Sequence, residues 1–186
     1  MTTPAVDRAA MTRAIADFLT AAGHAPDQHP LLAETPKLVA AAWADEFLDG
    51  YSRDPLACLD ARVPFRHGDW APVVALDAID FVSVCPHHLL PYRGVARVAY
   101  RARDWIVGFG DLVQCVDAFA HRLVLQEELA QHIAEGLCWK LEADAVFVRL
   151  EAEQNCLSLR GERRHSARAI CEFGVGDCAG LREALR

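Results

Sequence analysis

The chain has no apolar run approaching the roughly 18 uncharged residues that a membrane-spanning helix needs. Yet 53% of its 186 residues are hydrophobic, enough for a sizeable core. No membrane partner is therefore expected. Positive charge is also scarce. Nineteen Lys and Arg stand against 26 Asp and Glu, a formal net charge of −7. Binding a phosphate backbone usually needs a basic face, so nucleic acid is not an expected partner. The opening Met1-Thr2-Thr3-Pro4-Ala5 lacks the basic stretch and apolar block of a secretory signal. The seven cysteines are odd in number, which argues against a disulfide framework. Together these two features predict reduced thiols and a cytoplasmic protein. Most of the cysteines are expected to fill apolar positions, Cys138 among them. There is no internal repeat and no low-complexity segment. The length suits one compact domain with a helical arm.

Against these absences stands a cluster of chemistry. Cys85-Pro86-His87-His88 closes the apolar run 79–84, just before the turn-like Leu89-Leu90-Pro91. A second cysteine, Cys156, follows the extended stretch 145–152. Cys, His and a distant Cys form a borderline-soft N/S ligand set. Three such ligands leave a fourth position open, as in a catalytic zinc site rather than a closed structural one.

The pattern along the chain is mixed. Met11, Ile15, Phe18, Leu19 and Ala22 recur at helical spacing until Gly23. Thr35-Pro36 opens a second helix, with Thr35 as N-cap and Val39, Trp43 and Phe47 on its buried side. Residues 54–71 read as a short helix and an irregular connection. Strands are expected over 72–84, 94–100 and 104–109, with a tight turn at 101–103. Leu112, Cys115, Val116 and Phe119 mark one helix; Leu125, Leu129, Ile133 and Leu137 mark the next. Strands follow over 145–150, from 156 and over 166–173, broken by Gly174 and Gly176, and 178–186 reads as a short helix. A helix pair set within a run of strands predicts an α+β domain: an antiparallel sheet with that pair on one face. The arm is placed at 1–53 and the main domain at 54–186. A sheet of about four strands leaves edges that must be covered or paired.

Four segments resemble those of the GTP cyclohydrolase I family. They are 31–39 with Trp43 and Glu46; 83–94 with Val98, Ala99 and Tyr100; Gln126-Glu127-Glu128-Leu129 with Gln131 and Ile133; and Cys156 with Arg160-Gly161. The resemblance spans residues from about 30 to 186. It implies a tunnelling fold whose sheet is closed into a barrel by oligomerisation, in a homo-oligomer such as a decamer, with active sites at subunit boundaries. It implies Zn2+ on Cys85, His88 and Cys156, and hydrolysis at C8 of guanine in GTP, toward dihydroneopterin triphosphate in folate and pterin biosynthesis. His87 becomes the expected proton donor. Glu127 becomes the guanine anchor, since a carboxylate accepts from both N1–H and the exocyclic amine; Gln126 assists, and Glu128 reads as a solvated surface residue. Arg160 is the expected phosphate contact.

The chain also departs from the family. Pro86 stands where the family has Glu, and Gln154 where it has a catalytic His. Gly110, Asp111 and Gln114 replace Ser, Lys and Arg. Residues 162–168 replace a Thr-rich segment. Asp111 reverses a charge where a triphosphate is expected, and Gln154 cannot transfer protons at neutral pH. Arg163, Arg164 and Arg168 are candidate replacement cations, and His165 is a candidate replacement proton carrier. These losses suggest a diverged paralogue that stops at the formamidopyrimidine or uses a less phosphorylated purine. A non-catalytic homologue that binds zinc and a purine is the alternative.

Overall fold

The computed structural model describes residues 6–65 and 71–185. The chain starts with α1 (Arg8–Ala21), where the Asp7 carboxylate accepts the Ala10 N–H at 2.9 Å. Gly23, at φ +85°, turns the chain away as its missing Cβ allows. No residue of α1 is buried; it lies against α2 (Thr35–Ala42). Glu34, not Thr35, precedes that helix as its cap residue. Its buried stripe is Pro36 and Ala40, continued by Ala44, one residue round from the expected Val39, Trp43 and Phe47. Small residues let the helix approach closely, and the three larger ones are left half-buried at the rim. Trp43 and Phe47 meet edge-on at 5.7 Å.

A 3-10 turn over Ala57–Ala61 supplies the expected short helix. His67-Gly68-Asp69, read as part of the irregular connection, lie outside the described residues. The strand β1 (Val63–Pro64) comes next, then the long β2 (Val73–Val84), β3 (Pro91–Arg101) and the two-residue β4 (Trp105–Ile106). The strand expected over 104–109 shrinks to β4, which pairs with β1 alone among the described residues, because α3 (Phe109–Ala120) already begins at Phe109. The helix α4 (Gln126–Leu141) completes the pair. After β5 (Ala145–Glu153) the expected strand from 156 is instead a one-turn helix, α5 (Asn155–Ser158). Both Leu157 and Ser158 donate to the Gln154 carbonyl at 2.9 Å, which winds the chain there. The chain ends with β6 (Ala169–Val175), which continues through Gly174, and α6 (Ala179–Ala184).

The main sheet is antiparallel in the order β2-β3-β5-β6. Alternation sends Phe81, Tyr92, Val98, Tyr100, Val148 and Leu150 to one face, against Leu112, Cys115 and Val116 of α3 and Leu129, Ile133 and Leu137 of α4. Each large side chain buried there contributes about 1.5–3 kcal/mol. The opposite face carries paired charges. Arg97 meets Asp77 at 2.8 Å, and Arg149 meets Glu172 at 2.5 Å. On that face α6 packs Leu181 and Leu185 over Ala99, Ala145 and Phe147, so the tail helix sits opposite the helix pair. The outer edges of β2 and β6 have no strand partner among the described residues.

The arm is fastened to the end of α3. A Cβ on Gly50 would come 2.5 Å from the Ala118 carbonyl, so only glycine fits. Arg122 donates to the Gly50 carbonyl at 2.7 Å, and His121 Nδ1 lies 2.7 Å from the Asp49 carboxylate.

Candidate metal centre and cleft

Buried Cys85 ends β2 and opens a closed loop. Its N–H donates to the Leu90 carbonyl at 3.0 Å, and Leu89, at φ +51°, returns an N–H to the Cys85 carbonyl at 2.9 Å. The turn presents two imidazoles, those of His87 and His88, 6.2 Å apart at 84°. His88 Nδ1 lies 3.7 Å from Cys85 Sγ. Cys156 comes from α5, which is lashed to the start of β3 by Asn155 Nδ2 donating to the Pro91 carbonyl at 2.6 Å.

The ligand atoms of Cys85, His88 and Cys156 all lie within 4.8 Å of one another. Donors on a tetrahedral zinc sit roughly 3.3–3.8 Å apart, given bond lengths of about 2.0–2.3 Å. A small closure would seat the ion, and two sulfurs with one nitrogen suit zinc. Burial, then the facing Cys85, raise the Cys156 thiol above its ordinary pKa, with nearby Arg160 opposing the shift. A divalent cation reverses that balance, because a coordinating thiol gives up its proton.

The cluster opens onto a cleft of about 280 Å³, lined by Cys85, His87, Tyr92, Val124, Leu125, Gln126, Glu127, Gln154, Cys156, Leu157 and Ala169. Larger grooves of about 630 and 690 Å³ lie along the β2 edge and the charged sheet face, away from the cysteines. The first turn of α4 forms one wall of the cleft. The Leu125 N–H donates to the Glu128 carboxylate at 3.2 Å, so Glu128 caps its own helix rather than merely facing solvent. Glu127 stays exposed at the cleft. Gln126 is only 3% exposed. Its amide donates to the Leu150 carbonyl at 3.1 Å and the Ala169 carbonyl at 3.0 Å, and accepts from Gln154 at 2.7 Å. The Tyr92 hydroxyl donates to the Val124 carbonyl at 3.2 Å, and burial raises its pKa.

The structure thus gathers Cys85, His87, His88, Cys156, Gln126 and Glu127 in one place. Arg160 is exposed just beyond α5. His165 is exposed in the loop before β6 and does not line the cleft. Of the loop arginines, Arg168 sits 3.8 Å from Glu153 and Arg164 sits 3.9 Å from Glu162. Asp111 lies in the first turn of α3, whose other end leads through Leu123 to the cleft. A 12-residue helix is about 18 Å long. Neither Asp111 nor Gln114 lines the cleft. The Asp111 carboxylate folds back over its own helix start, 2.9 Å from where a Gly108 Cβ would lie, and fills the positive end of the helix dipole itself.

Sequence reasoning missed two participants. One is the contact between Gln126 and Gln154. The other is Cys171, whose thiol is raised by burial and then by the neighbouring Glu127 carboxylate. Alternation along β6 signals the second; nothing local signals the first.

A family model described as GTP cyclohydrolase I matches residues 11–182. The chain belongs to the GTP cyclohydrolase I family. It is 40% identical over 173 residues to GTP cyclohydrolase 1 of Leifsonia xyli, covering 93% of this chain and 89% of that protein. It is 38% identical over 172 residues to GTP cyclohydrolase 1 of Chromobacterium violaceum, covering 92% and 81%. Among solved structures, an apo archaeosine synthase QueF-Like is similar at TM-score 0.49 and 20% identity, over 58% of this chain and 98% of that one.

Proposed function

We propose that this family member is a zinc-dependent hydrolase that opens the imidazole ring of a guanine nucleotide at C8, with GTP and the path toward dihydroneopterin triphosphate as its reference reaction. The observation that carries the reading is the meeting of Cys85, His88 and Cys156 beside His87 and Glu127 in a single cleft. When bound, zinc lowers the pKa of a water molecule toward neutrality. His87, at the cleft wall and not in the ligand set, is placed to pass a proton to the base. Glu127 anchors the base by accepting its N1–H and amine. Tyr92, Gln126 and Asn155 hold the walls and so fix the angle at which the ring enters. Arg160 meets a phosphate at the mouth.

A second reading has its own support. Gln154 is held by hydrogen bonding and has no titratable proton at neutral pH. That favours an enzyme that stops at the ring-opened formamidopyrimidine. Asp111 favours a less phosphorylated substrate. Assembly into a homo-oligomer completes the account, since the edges of β2 and β6 and the apolar side chains of α1 want partners. The division at residue 53, the barrel closed by several copies and a cytoplasmic setting for the reduced thiols belong to the same proposal.

Mass spectrometry of zinc-loaded protein incubated with GTP, GMP and guanosine tests it. A pterin from GTP supports the reference reaction, and a formamidopyrimidine supports the second reading. No turnover of any of the three would leave only a binding protein.

A further inference from the structure

Gln126 and Gln154 form a chain of carboxamides with a fixed polarity. Both hydrogens of the Gln126 amide are committed, to the Leu150 and Ala169 carbonyls at 3.1 and 3.0 Å. Those two acceptors leave one orientation, with Gln126 Oε1 facing away from them. An oxygen there demands a donor, so Gln154 must turn its nitrogen inward, as it does at 2.7 Å. Gln126 is 3% exposed, so exchange with water does not relax this order. The second side-chain N–H and the side-chain Oε1 of Gln154 have no protein partner among the described residues, and Gln154 lines the cleft.

Position then selects the ligand group. Gln154 touches Gln126, the neighbour of Glu127 on α4, and stands two residues before Cys156. It therefore lies between the anchor for the base and the metal ligands. Guanine presents N1–H, O6, N7 and C8 in that order around its edge, and the two middle groups are acceptors. We infer that Gln154 is a specificity-determining residue, whose free N–H, oriented by buried Gln126, binds the O6/N7 edge of the base while Glu127 holds N1–H. This rests on the purine reading above. Gln154 binds there without transferring a proton.

The test measures dissociation constants by calorimetry on the full-length, zinc-loaded chain. The ligands are GTP, 6-thioguanosine triphosphate, which weakens the O6 acceptor, and 7-deazaguanosine triphosphate, which removes N7. Wild type is expected to bind at least one analogue about fivefold more weakly than GTP, from the loss of one hydrogen bond of roughly 1 kcal/mol. Gln154→Met, nearly the same length and half-exposed, is expected to fold, to bind GTP about fivefold more weakly, and to bind all three ligands within about twofold. Gln154→Met that keeps the wild-type discrimination would overturn the inference alone. Wild type that binds none of the three would overturn the purine reading together with the inference.

Discussion

The cleft and the first turn of α3 are both rich in polar groups, but they are held differently. In the cleft Gln126 is tied to the Leu150 and Ala169 carbonyls and Tyr92 to the Val124 carbonyl, and beside it Asn155 is tied to the Pro91 carbonyl. At the start of α3, Gly110 and Gln114 are exposed, Phe109 is 58% exposed, and the Asp111 carboxylate lies over the helix start. Pre-positioned groups spend little ordering entropy when a ligand binds, so they can orient a reacting ring. Asp111 puts a negative charge at the start of α3, which opposes phosphate there.

Removing a metal ligand tests the first half of that contrast most severely. Cys156→Ala should cut zinc from about one ion per chain to under a tenth, by elemental analysis, and abolish ring opening by about 10³-fold or more. Retained zinc would show that the cysteine only packs. Glu127→Ala removes two charge-assisted hydrogen bonds worth together about 3 kcal/mol, so KM for the guanine substrate should rise about 100-fold with zinc content unchanged. An unchanged KM would place the base elsewhere.

The α3 end sharpens the comparison in the opposite direction. Asp111→Lys should improve GTP binding relative to guanosine by about tenfold, through one phosphate contact of roughly 1–3 kcal/mol. It should lower Tm by about 1–4 °C, since an acid favourable at a helix start is lost. No shift in the GTP-to-guanosine ratio would remove α3 from the phosphate site. The smallest effect belongs to Tyr92→Phe, which leaves the buried Val124 carbonyl short of a donor. Loss of about 1 kcal/mol should lower Tm by about 2–4 °C with zinc retained, read by calorimetry and metal analysis.

Much of this was legible in sequence. Runs dense in Val, Ile and Phe without a helical period, and the four-residue spacing of Leu125, Leu129, Ile133 and Leu137, are local signals, and they locate the sheet and α4. The Cys85-to-His88 spacing marks the metal loop, because the turn that joins two strands is itself short. The one-turn helix at Asn155 was not legible: it depends on the Gln154 carbonyl being free to collect two N–H groups. Nor was the pairing of Gln126 with Gln154, which joins residues from α4 and the end of β5. The buried stripe of α2 was misplaced because alanines, not the large residues, make its contact. That Asp111 does not line the cleft depends on the direction of α3, which spacing along the chain does not give.

The most direct test is the ratio of kcat/KM for GTP to that for guanosine, measured on the zinc-loaded wild-type protein with products identified by mass. Pre-positioned base-binding groups beside a weak phosphate grip predict ring opening of both substrates with a ratio of no more than about tenfold, the worth of one phosphate contact. A ratio of about 10³ or more, or no ring opening of either, would contradict it.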